Sequence, residues 1–483
     1  MKKEIIKTFK NLSLIKVIIF FHYTLLLILH TNCGSKMQGE LVGVLGRAEW
    51  YEPQPFGMVF IPSGSYNMGP NDQDVAYAMV AETKTVTVAP FWMDETEITN
   101  NEYRQFVFWV RDSIAYTLLG EQIEEYLKTE NDYGEELTPP MINWSKPIKW
   151  DKEEEREILA QLFLPEKERF YRRKEIDTRK LNFVYYRIDL QQAAKKYDFN
   201  GDIRRAWNYE ENKYDGEVID YNYKSPTKGK KIPIQDRSAF IIKDVINIYP
   251  DTLCWISDFT YSFNEPMAKS YFWHPAYDNY PVVGVNWRQA RAFCVWRTEL
   301  LNSYYLEALE EPLVNEYRLP TESEWEYASR GGLKQTLYPW GSYYTSNYKG
   351  CYVANFKPMR GNYVADGGFY MLIVAHYEPN EFGLYDMGGN VSEWTSNAFD
   401  ESAYSFTDDL NPDYFYEALP DDPPARKRKV IRGGSWKDIS WYMQNGTRSY
   451  EYQDTAKSYI GFRCVRSYLG RDFRDAGSGS HVY

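Results

Sequence analysis

Apolar and polar positions along the chain fall into a few readable periods. Thr83 to Val88 alternates like a half-buried strand, and Met58 to Gly69 is a short β-rich run with turn residues at its centre. Beyond Phe91-Trp92-Met93-Asp94, Thr99 is placed to cap a helix. Glu102, three residues on, completes a capping box, and Tyr103, Phe106 and Val107 follow at helical spacing. Pro281 to Trp287 reads as a strand entering a second helix, with Ala290, Phe293, Cys294 and Trp296 on one side. A third helix opens at Thr321, where Pro320 ends the preceding segment and Glu324 can complete another capping box.

From about 112 to 273 the pattern lapses. Glu153-Glu154-Glu155-Arg156, Lys167-Glu168-Arg169 and Arg172-Arg173-Lys174 alternate with Tyr and Trp, and no single apolar stripe runs through Glu153 to Arg173 despite fair helical propensity. The stretch is read as an insertion lying on a core, with an aromatic content too high for full disorder. It is either an assembly surface or a solvated extension.

The N-terminus has its own pattern. Lys2, Lys3, Lys7, Lys10 and Lys16 precede an apolar run from Val17 to Leu29 that His22, Tyr23 and Thr24 interrupt. Such a run is too short and broken for a membrane span and reads as a signal peptide over 1–32. Cys33-Gly34-Ser35 then stands where a bacterial lipoprotein is cleaved and acylated, so Cys33 is the expected lipid anchor, with plain secretory cleavage as the alternative. Residues 33–57 form a polar linker, and no acidic run follows Cys33 to suggest export to the outer surface.

Composition narrows the function. A chain of 483 residues can bury a large core, and a formal charge of −12 offers no basic excess for phosphate backbones, which excludes a nucleic-acid binder. Aromatic content of 17%, with 43 Tyr, points to a loop-rich fold with broad contact surfaces suited to partner binding.

Two stretches suit a hard cation. Asp386 and Glu393 flank a Gly388-Gly389 turn whose unhindered backbone lets carbonyl oxygens bend inward, and calcium takes six to eight such oxygens in loose geometry. Asn355-Phe356 with Asp366-Gly367-Gly368 offers a side-chain amide, two carbonyls and a carboxylate. A solvated turn carrying two unrelated acids is the plain alternative for the first of these.

Four strings occur in one order: Arg318-Leu319-Pro320-Thr321-Glu322-Ser323-Glu324-Trp325, Glu381 to Thr395, Arg432-Gly433-Gly434-Ser435-Trp436, and Gly461-Phe462-Arg463-Cys464. Together they resemble the formylglycine-generating-enzyme (sulfatase-modifying factor) domain. The resemblance implies an α+β fold related to C-type lectins, loop-rich and low in regular secondary structure, built from residues 58–111 and 274–468 around the insertion, with 469–483 as a tail. It implies structural calcium at Asn355, Phe356, Asp366 and Gly368, and again at Asp386, Gly389, Val391 and Glu393. It also implies a Cys294–Cys464 disulfide, with buried thiols as the alternative; Cys254 and Cys351 have no assigned state. The string Arg318 to Trp325 is read as purely structural.

The chemistry of that family does not carry over. Its enzymes bind copper(I) through two cysteine thiolates, but counting from Arg432-Gly433-Gly434-Ser435-Trp436 the first position falls on Asp438 and the second near Met443, with no cysteine between Cys351 and Cys464. No catalytic residue is assigned and no copper is expected. The related sulfoxide synthases need three histidines on iron, and of five His here only His274 and His376 lie within the expected domain; a relay built on either has no nucleophile-elbow motif beside it.

The approach Trp50 to Pro62, the run Phe91 to Phe106 and the closing Gly470-Arg471-Asp472-Phe473-Arg474 look like the gliding-motility lipoprotein family GldK, called PorK in non-gliding relatives. That likeness implies a non-catalytic scaffold, anchored by lipid in the outer membrane and facing the periplasm. It implies a homo-oligomeric ring with a GldN/PorN-type partner, in the type IX secretion and gliding machinery, with peptidoglycan nearby. The alternatives are a divergent copper-dependent oxidase and a glycan- or peptidoglycan-binding module.

Overall fold

Thr99 caps the helix Asn100–Gly120 as its sequence anticipates: its hydroxyl accepts from the Glu102 amide, and the Glu102 carboxylate accepts from the Thr99 amide at 2.8 Å. Tyr103, Phe106, Val107 and Val110 make up its buried stripe. A second helix, Trp287–Tyr304, starts on a capping box between Asn286 and Gln289. The two pack through rings, with Tyr103 stacked on Phe293 at 5.6 Å and Phe106 against Trp296 at 5.2 Å, and around them gathers the largest apolar cluster.

These features belong to a computed structural model that describes residues 51–70, 83–130, 134–194, 207–208, 210, 213–214, 216–309 and 312–470. The expected signal peptide, Cys33, most of the linker and the tail beyond 470 lie outside the described residues. All that follows belongs to the compact unit Glu52–Asp472. Among the described residues no helix is long and apolar enough to cross a membrane.

Two four-stranded sheets frame the core. In the first, Met58–Ile61, Phe91–Asp94, Val465–Ser467 and Tyr317–Arg318 lie side by side and antiparallel, so strands from both ends of the domain meet. In the second the order is Ser449–Tyr452, Arg428–Arg432, Ser392–Ala398, Ile460–Gly461, the last pair parallel. The β-rich run from Met58 is two strands that do not pair with each other: Gly64–Met68 turns away to form a ribbon with Lys84–Val88. The remainder is short ribbons, turns and long loops, an α+β architecture.

Three expectations change. No strand forms over 281–287: Pro281 makes one isolated bridge to Thr99, and Gly284 turns the chain with φ +75°, a left-handed conformation that breaks strand geometry. The boundary expected at 111/112 falls inside the helix Asn100–Gly120, whose last turns bury Ala115, Tyr116 and Leu119 against Tyr126, Leu159 and Leu162. Nor does the insertion simply lie on the core. Its strand Asn182–Ile188 pairs with Ile241–Asn247 and drives Phe183 and Tyr185 into the main cluster, Phe183 meeting Phe106 at 5.3 Å. Within 153–173 only Glu153–Ile158 is α-helical, followed by 3-10 turns.

The helix Glu322–Ser329 is buried on every side although it carries three glutamates. Each glutamate has a guanidinium. Glu326 pairs with Arg432 and with Arg330 (2.7 Å), Glu322 binds Arg448 at 2.6 and 3.0 Å, and Glu324 takes Arg318 in a two-point bond at 2.6 Å. Burial pushes the Glu322 carboxyl up, but Arg448 and Arg432 outweigh it and hold it below the usual carboxylate range. Glu326 also accepts from the Gly69 amide at 2.8 Å, so the network ties the N-terminal ribbon to the C-terminal sheet.

Removing one partner of a buried pair strands the other charge in a medium that cannot solvate it. Arg432→Ala is therefore expected to destabilise the protein by about 3–5 kcal/mol, read as a fall in the urea midpoint. Lys269→Ala, at the exposed Lys269–Glu265 pair, should leave the midpoint unmoved.

Candidate functional site

The loop that ends in the strand Ser392–Ala398 brings the expected cation residues to one place. Asp386 sits at φ +54° and Asn390 at φ +57°, left-handed conformations that Asp and Asn tolerate better than other side chains. Gly389, at φ +90°, lies so close to its neighbour that an added Cβ would stand 2.4 Å from the Asn355 carbonyl oxygen. The two expected sites therefore adjoin.

At the first, Asn355, Phe356, Asp366 and Gly368 do come together. The Phe356 and Gly368 amides donate to the two Asp366 oxygens at 2.6 and 3.1 Å, and a Cβ on Gly368 would stand 3.0 Å from Asn355 Oδ1. Burial raises the Asp366 carboxyl above its ordinary range, and the two amides only partly offset this.

At the second, the expected pair of carboxylates is split. Glu393 is fully buried and already committed: Arg463 binds both of its oxygens (2.6–2.9 Å), and Trp325 Nε1 donates to it at 2.8 Å. Asp386 instead accepts from the Ala375 amide at 2.8 Å and interacts with the buried Glu97 carboxyl. Val391 is buried with Val283, Trp255 and Trp436.

Glu97 was not anticipated as part of any site. It lies in the turn before the first helix, 0% exposed, with Oε1 accepting from Asn390 Nδ2 at 3.1 Å and Oε2 accepting from no donor among the described residues. Asn390 joins the two halves, since its Oδ1 accepts from Asn355 Nδ2 at 3.3 Å and from the Leu372 amide at 2.8 Å. Burial, reinforced by the Asp386 charge and opposed by Arg463, pushes the Glu97 carboxyl well up, and burial lifts Asp386 to about 6. Two acceptors so placed require either a shared proton or a cation between them.

The cysteine pairing reads as expected in position but not in bonding. Cys294, on the Trp287–Tyr304 helix, and Cys464, just before the strand Val465–Ser467, are buried with their Sγ atoms 3.5 Å apart as free thiols, beyond the roughly 2.03–2.05 Å of a disulfide. Cys254 is a buried thiol and Cys351 an exposed one. Asp438, at the first copper position, accepts from Ser435 Oγ at 2.5 Å and pairs with Lys437 at 2.8 Å. Met443, at the second, is buried among Leu337, Tyr338, Ala354 and Phe356. A carboxylate held by a lysine and a thioether packed in hydrocarbon do not make a copper(I) dithiolate site. His274 accepts from the Ala276 amide to cap a turn, and His376 packs against Tyr377.

A loop-rich α+β domain, braced by buried ion pairs around an oxygen-lined loop pair, defines the class. Residues 48–161 and 238–468 match the family described as the sulfatase-modifying factor enzyme 1-like domain, and the chain belongs to that family. It is 34% identical over 192 residues to the inactive C-alpha-formylglycine-generating enzyme 2 of Bos taurus, covering 38% of this chain and 50% of that protein. It is likewise 34% identical over 197 residues to the formylglycine-generating enzyme of Mus musculus, covering 40% and 45%. The chain thus spans about half the length of the curated relatives it matches. PvdO from Pseudomonas aeruginosa aligns over 85% of this chain and 94% of its own at 16% identity, with a TM-score of 0.39. The family includes members named as inactive as well as active enzymes.

The Glu97–Asp386 pair has a pH signature. With Asp386 held near 6 against roughly 3.9 unfolded, the folded state binds more protons across that window, so stability falls as the pH rises from about 4 to about 6, and Glu97 carries the fall higher. Glu97→Gln keeps the bond from Asn390 and supplies a donor toward Asp386. It should raise stability at pH 8 by about 1–3 kcal/mol and flatten the upper part of the profile, measured by urea melts in chelator from pH 4 to 8.

Proposed function

We propose that the protein is a non-catalytic scaffold of the GldK/PorK type, a lipoprotein held by acylated Cys33 in the outer membrane and facing the periplasm. There it forms a homo-oligomeric ring with a GldN/PorN-type partner in type IX secretion and gliding. The observation that carries the non-catalytic reading is the fate of the two copper positions, Asp438 paired with Lys437 and Met443 packed in the core. The relationship to members named inactive supports it. The scaffold role itself rests on the likeness of Trp50 to Pro62, Phe91 to Phe106 and Gly470 to Arg474 to that lipoprotein family.

Detergent extraction of the native protein without chelator, followed by sizing and mass analysis, tests this. A large particle containing many copies and a second protein is the expected result; a lone monomer overturns the scaffold. Purified protein is also expected to take up no stoichiometric copper(I) and to convert no thiol peptide to an aldehyde, and either event would restore the oxidase alternative. Saturable binding of peptidoglycan fragments by a monomer would favour the glycan-binding alternative.

Calcium belongs to the same proposal as a structural ion. Asn355, Phe356, Asp366 and Gly368 are gathered closely enough to hold one, and at the second position the orphaned Glu97 oxygen with Asp386 fits a cation better than the Arg463-bound Glu393 does. A cation that binds only folded oxygens stabilises by mass action, about 2.7 kcal/mol at a hundred times its Kd. Calcium in place of chelator should therefore raise the melting temperature, with Asp366→Asn losing part of the rise. Equal melts with and without calcium would remove the ion from the proposal.

A further inference from the structure

Residues 169–174, Arg-Phe-Tyr-Arg-Arg-Lys, carry four cations and no acid in a chain whose net charge is −12. They lie in 162–237, the stretch between the two matched parts of the family domain. Phe170 and Tyr171 stand 68% and 79% exposed with their rings 4.2 Å apart, and the Arg172 and Arg173 guanidiniums form no ion pair among the described residues. Tyr171 and Arg172 are both left-handed, φ 48° and 55°, a costly conformation for two consecutive residues that bear side chains. Both rings and both guanidinium-bearing residues, Arg172 and Arg173, are exposed together on this tip.

Elsewhere the molecule has a groove of about 860 Å³ between the segment Gln54–Gly57 and the Trp287–Tyr304 helix. Its apolar wall includes Trp296, Leu300 and Tyr304, and Phe56 stands 99% exposed at its lip. Its two guanidiniums are already taken, Arg297 by Asp94 and Arg466 by Glu52. Glu95 and Glu102 line it with no ion pair among the described residues; one Glu102 oxygen is bound by the Thr99 amide and hydroxyl at 2.8 Å, and its other oxygen is paired with no cation. An apolar groove with carboxylates that no cation neutralises fits an occupant that is aromatic and cationic.

We propose that the 169–174 tip of one copy docks into the Phe56–Leu300 groove of a second copy, a head-to-tail contact between two different faces of the same chain. This rests on the scaffold reading and supplies the contact that reading needs, because an interface between unlike faces is the kind that closes into rings. Phe170 and Tyr171 fill the apolar wall, and Arg172 and Arg173 meet Glu95 and Glu102. The loop and the groove pair by charge and by apolar character, which sets specificity more than the buried area does.

The test uses the full chain in detergent. Arg172→Glu with Arg173→Glu blocks the tip; Glu95→Lys with Leu300→Asp blocks the groove. Analytical ultracentrifugation should show each variant needing at least tenfold more protein than wild type to assemble. An equimolar mixture of the two should stop at a one-to-one dimer, since one intact tip and one intact groove remain. Phe170→Ser with Tyr171→Ser blocks the tip without changing charge and stands in should the first pair fail to fold. Wild-type assembly by folded variants, or a mixture with no dimer, overturns the contact. A wild-type chain that stays monomeric in isolation overturns it too, while the scaffold reading fails only when the particle extracted from membranes is itself a monomer.

Discussion

Four arginines, Arg432, Arg448, Arg463 and Arg466, are each no more than 2% exposed, and each is bound to a buried glutamate. Removing eight charges from water is expensive, and the attraction between partners offsets that only where the hydrogen bonds are complete. The bonds reach well beyond the pairs: Arg432 also donates to the Thr447 and Asn445 carbonyls, and Arg463 to those of Asp94, Glu95 and Tyr385. Arg432, Arg448 and Arg463 thereby satisfy backbone carbonyls, whereas Arg466 donates only to Glu52 and leaves Nε and Nη1 without a partner among the described residues. A fold with so little regular structure needs such side chains, because a buried carbonyl without a ladder partner would otherwise go unmet.

That requirement decides what the oxygen-lined loops can do. Glu393 lies where a cation ligand is expected, yet Arg463 and Trp325 fill its acceptor positions, so the carboxylate works for the fold. The opposite holds for Glu97. It is equally buried, but Arg463 reaches it only through space, and its nearest charged neighbour is another acid. Burial raises both Glu97 and Asp386, and the surplus of negative charge left by one guanidinium among three carboxylates adds to it.

Local chemistry made much of this legible in the sequence. The capping boxes at Thr99 and Thr321 depend on residues three apart and form as read, and Arg318 to Trp325 behaves as a structural motif. What could not be read was long-range. Nothing near Met58 says that its strand pairs with Phe91–Asp94 rather than with Gly64–Met68, or that Val465–Ser467 completes the sheet. Glu97 meets Asp386 from a segment 289 residues earlier, and in sequence it is one of three acids in Asp94-Glu95-Thr96-Glu97 before a capped helix, which reads as a solvated turn. The expected insertion boundary failed for a related reason. Periodicity fades after Val110 because the helix changes the neighbour it faces, from the main core to the Tyr126–Leu162 cluster, and not because the helix ends.

Asp438 and Met443, which stand where copper cysteines are expected from the family resemblance, both take part in packing the loops around them. A cuprous dithiolate needs two soft ligands held at fixed separation with access for substrate, so the site must stay partly open and therefore weak in packing. Met443 fills one of those positions with buried thioether and apolar contact to Phe356, the residue whose amide also holds Asp366. Asp438 fills the other with a lysine pair, and its carbonyl accepts from the Lys357 amide beside it. Both replacements reach into the Asn355–Asp366 loop and tie it down. The Asn355–Asp366 loop is thereby linked to the segment Asp438–Met443 by one apolar contact and one backbone hydrogen bond, so the two loops hold each other in place without a sheet between them.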